Sequence, residues 1–241
     1  DFAFRQTGAL EIGTVDGQLG IDAHGNNISI DTSGAITQTQ LIKNTQQWSS
    51  SSDGGLTLNL TGNQIGEVLK ADNRGSGNIS LITAGPTTYT QVTNVGGGNV
   101  TLQTGSGLAD LVSVNSGAGR LQVTSGGAAR IGNVLSNSTT TGNTAATASV
   151  AVTAQGNITQ AAAPAPGIQT DGSVFLQTSS TGAMGTGADP VKVNTSTGTG
   201  LVTVDGAGDV NLAATNTGTT RFGTVSSPGN ISISGPGGAS T

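Results

Sequence analysis

Along this chain, aliphatic and polar residues alternate in short runs that stop at glycine and asparagine. One signature recurs: Gly, then Asn or Asp, then a β-branched residue, a short polar residue and usually an aliphatic. It stands at Gly77-Asn78-Ile79-Ser80-Leu81, Gly98-Asn99-Val100-Thr101-Leu102, Gly156-Asn157-Ile158-Thr159-Gln160, Gly208-Asp209-Val210-Asn211-Leu212 and Gly229-Asn230-Ile231-Ser232-Ile233, with a relaxed copy at Asn27-Ile28-Ser29-Ile30. Gly and Asn tolerate the left-handed backbone of a sharp corner, and period-two alternation places the aliphatics on one face of a strand. The signature therefore predicts a corner followed by a strand. Further alternating runs, without the corner, lie at Leu56-Thr57-Leu58, Leu121-Gln122-Val123, Val150-Ala151-Val152, Val174-Phe175-Leu176 and Leu201-Val202-Thr203-Val204.

Taking one leading strand per coil at Ile28, Leu56, Ile79, Val100, Leu121, Val150, Val174, Leu201 and Ile231 gives steps of 28, 23, 21, 21, 29, 24, 27 and 30 residues. Steps of this size fit a coil of three short strands whose excess length is looped out at corners, as in the Pro-rich stretch 161–167 and the Ser run 49–52. In the coil from Ile79 to Gly98, a second strand follows the Gly85-Pro86 turn, and Ile79, Leu81, Val92 and Val95 are expected to face inward. No stretch keeps an apolar face at helical spacing; 64–71 comes nearest and is too short. Hairpin architectures favour Asn-Gly turns, and the chain has no Asn-Gly pair. These patterns predict an all-β, right-handed parallel β-helix, a β-solenoid of about nine coils, roughly 43 Å long at ~4.8 Å per coil. Residues 1–241 form one segment, with stacked Asn, Ser and Thr at the corners.

Composition sharpens this picture. Leu, Ile, Val and Phe make up 52 of 241 residues, aromatics number 6 and only 9% of residues are charged, too little bulky filler for an ordinary two-layer core. A solenoid needs only a few inward aliphatics per coil, because neighbouring coils complete the core. The net charge of −5, with Lys and Arg scattered, argues against nucleic acid or anionic membrane as partner, and no apolar run is long enough for a membrane-spanning helix. Neither 1–8 nor 232–241 looks like a solenoid cap, so flanking β-helix coils are expected at both ends, by covalent continuation or by packing with another copy.

At this point the repeats resemble those of the filamentous haemagglutinin family, large bacterial exoproteins exported by two-partner secretion. The resemblance rests on Gly77 to Leu81, on Gly229 to Ile233, and on Gly182-Ala183-Met184-Gly185-Thr186 running on to Asp189-Pro190-Val191-Lys192-Val193. It covers nearly the whole chain but lives in motifs of low information. It implies the shaft of a surface adhesin, secreted or held on the bacterial outer surface, whose partners are a host-cell or matrix surface or other copies of itself. That family's secretion domain carries Asn-Pro motifs; no Asn-Pro occurs here, which points to shaft rather than secretion domain.

Candidate chemistry is sparse. The single His, His24, sits in a polar run with Asp22 and Gly25 and reads as a solvated loop residue, and without Cys no conventional zinc site is available. Stacked coils could bring acids to the spacing used in glycoside hydrolysis, but the 13 acids are spread thinly. Trp48, Tyr89, Phe175 and Phe222 are likewise too scattered for an aromatic sugar platform. The chain is therefore expected not to be an enzyme and to need no cofactor. Calcium is the one metal suggested: Gly206 to Leu212 and Gly185 to Asp189 resemble half of a calcium-binding nonapeptide, making Asp189, Asp205 and Asp209 candidate ligands. Sequons at Asn27, Asn59, Asn78, Asn99 and Asn230 mostly coincide with the corner signature. The pairs Thr37/Thr39, Thr195/Thr197 and Thr197/Thr199 do not recur once per coil, which leaves no regular hydroxyl array.

Overall fold

The computed structural model describes residues 1–196, 199–216 and 218–236. Among them every regular element is a strand. The chain winds as a right-handed parallel β-solenoid of about 10 turns, laying strands on each of two long parallel sheets as it circles. The narrow sheet runs from Leu10–Ile12 through Ile36–Gln38, Leu56–Leu58, Ile79–Thr83, Val100–Thr104, Leu121–Ser125, Val150–Ala154, Val174–Thr178 and Leu201–Asp205 to Arg221–Ser226. The broad sheet runs from Phe2–Gln6 to Ile231–Ser234.

The three short strands expected per coil are visible in the turn that starts at Ile79. There Thr87–Tyr89 and Val92–Asn94 are separate segments of the broad sheet, each pairing with the longer strands Ile65–Asn73 and Ala109–Asn115. In those neighbours the two segments are fused into one strand.

Two expectations need correction. There are about ten turns rather than nine, because Ile28 and Ile231 lie on the broad sheet while Leu10, Ile36 and Phe222 stack on the narrow one. The corner signature does open strands, of both sheets, as at Ile79–Thr83 on one and Val210–Ala214 on the other. Val95 is not inward: it is 65% exposed, since alternation from Val92 turns Asn94 in and Val95 out. Residues 65–71 of the segment rejected as a helix belong to the strand Ile65–Asn73.

One antiparallel hairpin does occur. Thr14–Val15 pairs with Gln18–Leu19 across Asp16 and Gly17, whose φ of 50° and 76° are those of a type I′ turn. Asp-Gly serves there in place of the absent Asn-Gly.

Inside, two columns of the narrow sheet stack without a break: Leu56, Ile79, Val100, Leu121, Val150, Val174 and Val202 in one, Leu58, Leu81, Leu102, Val123, Val152, Leu176 and Val204 in the other. None of these side chains is more than 1% exposed. Each contributes about 1.5–3 kcal/mol by leaving water. Across the interior, the broad sheet supplies a column of Ile28, Trp48, Val68, Tyr89, Leu111 and Ile131. Phe2 and Phe4 stand in register with the buried Ile28 and Ile30, yet are 45% and 38% exposed because no coil of the described chain lies beyond them.

Candidate functional site

The repeating chemistry of this molecule lies at its corners. At Gly77 the backbone takes a φ of +112°, and a Cβ there would meet the Gly54 carbonyl oxygen at 2.4 Å, so only glycine fits between stacked turns. The next residue, Asn78, starts a ladder. Its Oδ1 accepts the backbone N–H of Asn99 at 2.8 Å, and Asn99 Oδ1 accepts that of Arg120 at 3.0 Å. Backbone bonds run the other way: Ile79 N–H donates to the Asn99 carbonyl at 2.9 Å and Val100 N–H to the Arg120 carbonyl at 2.8 Å. The side-chain amide thus satisfies a corner donor that sheet pairing leaves over. The same device recurs where Asn157 Oδ1 accepts from Ala183 N–H at 2.9 Å and Asp209 Oδ1 from Asn230 N–H at 2.8 Å.

A second ladder is buried. Asn73 and Asn94 are both 0% exposed; Asn73 Nδ2 donates to Asn94 Oδ1 at 2.9 Å, and Asn94 Nδ2 donates to the Gly98 carbonyl at 2.8 Å. Gln38 and the fully buried Asn63 exchange amide bonds of 2.9 and 2.7 Å, while Asn63 Oδ1 also accepts from Ile42 N–H. Hydroxyls take over elsewhere: Ser125 Oγ donates to the Ala128 carbonyl at 2.7 Å, and Thr178 Oγ1 to that of Gly182 at 2.7 Å.

Charged side chains also bridge turns. Arg74 Nε donates to Asp53 at 2.8 Å while its Nη2 reaches Asp31 at 3.0 Å, so one guanidinium ties three turns together. The hydrogen bond to Asp53 holds its pKa above the ordinary arginine value. Arg130 pairs bidentately with Asp110 on the outer face of the broad sheet, and that hydrogen bond likewise raises its pKa. The composition-based reading missed both clusters. Their signal was available: Asp53 and Arg74, like Asp110 and Arg130, stand about one coil apart.

The calcium candidates do not come together. Asp209 serves the corner ladder, Asp205 accepts from Gln177 Nε2 at 2.9 Å and Ser226 Oγ at 3.1 Å, and exposed Asp189 closes a local turn through its N–H to Thr186 Oγ1 at 2.9 Å. Among the described residues no group of three or more His, Asp or Glu is placed to hold a metal ion. The half-nonapeptide at 206–212 instead folds as corner and strand.

His24 lies in a left-handed turn, φ 50°, with its N–H donating to Asp22 Oδ1 at 3.0 Å. Asn44 Nδ2 donates to the same oxygen, and these two bonds lower the Asp22 pKa below the ordinary carboxylate range. Of the four aromatics weighed for a sugar platform, Trp48 and Tyr89 are fully buried, and burial pushes the Tyr89 phenol pKa well up, while Phe175 and Phe222 lie on different turns. Of the sequon asparagines, Asn78 and Asn99 are engaged by the ladder through their side chains, while Asn59 is exposed. Thr197, in two of the Thr-x-Thr pairs, lies outside the described residues, as do 237–241 of the C-terminal stretch read for a cap. No family model, curated protein or solved structure matches the chain.

Proposed function

We propose that this chain is a structural rod, the shaft of an extracellular bacterial adhesin that carries a binding region away from the cell surface. The observation that carries the reading is the unbroken stack of aliphatic columns, tied from turn to turn by polar ladders. Such a stack gives stiffness and length at constant cross-section, roughly 48 Å for about 10 turns at ~4.8 Å each. In this reading the partners are flanking coils and, at a distance, a host-cell or matrix surface, and the rod itself needs no catalysis and no cofactor.

A second reading, a filament or matrix subunit, draws on the inward-register Phe2 and Phe4 at one end and on Ile231, 46% exposed, at the other. Electron microscopy of the purified chain separates the two. Isolated short rods of uniform length support the shaft; long fibres growing with concentration support the filament. A carbohydrate-active enzyme ranks below both. Depolymerisation of acidic polysaccharides, with or without calcium, lost on substitution of an Asp, would overturn the ranking.

A further inference from the structure

A cleft opens on the flank of the rod, where the chain leaves the broad sheet between Ile158–Gln160 and Gly167–Thr170. These two segments pair with the two halves of Ala129–Ser136, so the intervening loop, 161–166, overhangs the preceding turns. The space beneath it, about 300 Å³, is at the low end of the range for small-molecule sites, ~300–1,000 Å³.

The overhang is fastened rather than hanging free. Lys192 Nζ donates to the Ala165 carbonyl at 3.1 Å, Gln160 Nε2 donates to that of Ile131 at 3.1 Å, and Lys192 N–H donates to Gln160 Oε1 at 3.0 Å. Gly132 keeps the floor low; a Cβ there would meet the Leu111 and Val112 carbonyl oxygens at 2.6 and 2.7 Å. The cleft is thus preformed, which spares a ligand the ordering cost.

Its lining has two parts. Ala162, Pro164 and Val112, the last 43% exposed, give aliphatic walls. The ion pair of Asp110 with Arg130 gives a polar edge, the carboxylate side chain 6% exposed and the guanidinium 48%. Two of the five guanidinium N–H groups go to Asp110, leaving three to donate elsewhere. The pair is net neutral, so neither a carboxylate nor an ammonium meets an uncompensated opposite charge. A neutral ligand that both donates and accepts hydrogen bonds, with a C–H face for the aliphatic walls, satisfies each part.

We propose that this flank cleft binds a neutral pyranoside, its C–H face on Val112 and Pro164, its hydroxyl oxygens accepting from Arg130 N–H groups. The site stands on cleft geometry and does not require the rod to be an adhesin.

Saturation-transfer NMR on the full chain tests it, with methyl pyranosides, lactose and cellobiose as neutral probes, and glucuronic acid, glucosamine and a proline-rich peptide as comparators. At least one neutral sugar is expected to bind saturably, and Val112→Glu to weaken it at least ten-fold, while Gln122→Glu on the narrow sheet leaves it unchanged. Where Val112→Glu lowers the melting temperature, Ala162→Glu places the same charge on the exposed loop and is expected to have the same effect. The proposal fails if no neutral probe saturates, if neither charge weakens binding, or if the acid, the amine or the peptide binds more tightly. Rods seen by microscopy in a sample that binds no sugar would leave the shaft reading standing and remove only the cleft.

Discussion

The turns between Leu56 and Leu121 and those between Leu121 and Val202 share one interior and differ at the corners. In the first region the stacked positions Leu56, Ile79, Val100 and Leu121 are 21 to 23 residues apart, and in the second Leu121, Val150, Val174 and Val202 are 24 to 29 apart. Inward residues of both regions are equally buried. The added length leaves at corners, in 137–149, 161–166 and 185–190. Where corner length is constant, asparagines one coil apart can meet, as Asn73 meets Asn94 and Asn78 meets the backbone of Asn99. Where it varies, local hydroxyls and long side chains substitute, as when Arg120 Nε donates to the Ala148 carbonyl at 2.7 Å and Ser149 Oγ to that of Ser138 at 2.9 Å. Successive amide rungs thus go with regular spacing, a single rung such as Asn157 to Ala183 forms without it, and the aliphatic core does not depend on it.

The largest effects are expected in the core. Leu102→Ala and Leu176→Ala should each cost about 3 kcal/mol in urea unfolding, because each leaves a cavity in a fully packed column. A difference above about 1 kcal/mol between them would show that irregular corners do loosen the interior. The corners come next. Asn94→Ala, which leaves the half-buried Gly98 carbonyl without its amide donor, is expected to cost about 2 kcal/mol, while Ser136→Ala, removing one bond to the Gly119 carbonyl, should cost about 1. Equal losses would mean that amide and hydroxyl corners are equivalent. Arg120→Gln should reduce stability by only about 0.5–1 kcal/mol, yet speed proteolysis within 137–149, whose Ala145 and Ala148 carbonyls it holds.

The smallest effect concerns pH. Asp22 has a lowered folded-state pKa, so its contribution is present above the unfolded value and is lost as pH falls through the folded one. An NMR titration of Asp22 should show a midpoint below the ordinary aspartate range, moving up in Asn44→Ala as the leading hydrogen bond is removed. An unmoved midpoint would assign the shift to the backbone bond from His24.

Much of the fold could be read from the chain because alternation is a local property. Ile79, Leu81, Val100 and Leu102 announce their own faces, and Gly77 and Asn78 announce the corner that precedes them. Two things could not be read this way. Which sheet a corner leads to depends on the stacking partner: Gly-Asn opens a strand of the narrow sheet at Ile79 and of the broad sheet at Ile158, with the same local chemistry. Side-chain clusters assembled across turns were equally hidden. Asp209 looks like part of a metal motif until Asn230 is seen to donate to it, and the Arg74 bridge becomes visible only when turns are placed in register. The overhang at 161–166 was legible as a loop from its prolines, but what it covers was not.

The corner ladders join residues whose separation in sequence is one circuit: 21 between Asn78 and Asn99, 21 between Asn99 and Arg120. Apart from bridges such as Arg74 to Asp31, two turns back, the contacts that hold a new turn are therefore made to the turn just completed, and lengthening the molecule adds no contact more distant in sequence than those already present. Folding can advance as a zipper from any wound portion, with the entropy of closing each successive loop staying nearly constant. Time to fold should then grow in proportion to the number of circuits, rather than with the steep penalty that distant strand pairing imposes on other all-β chains.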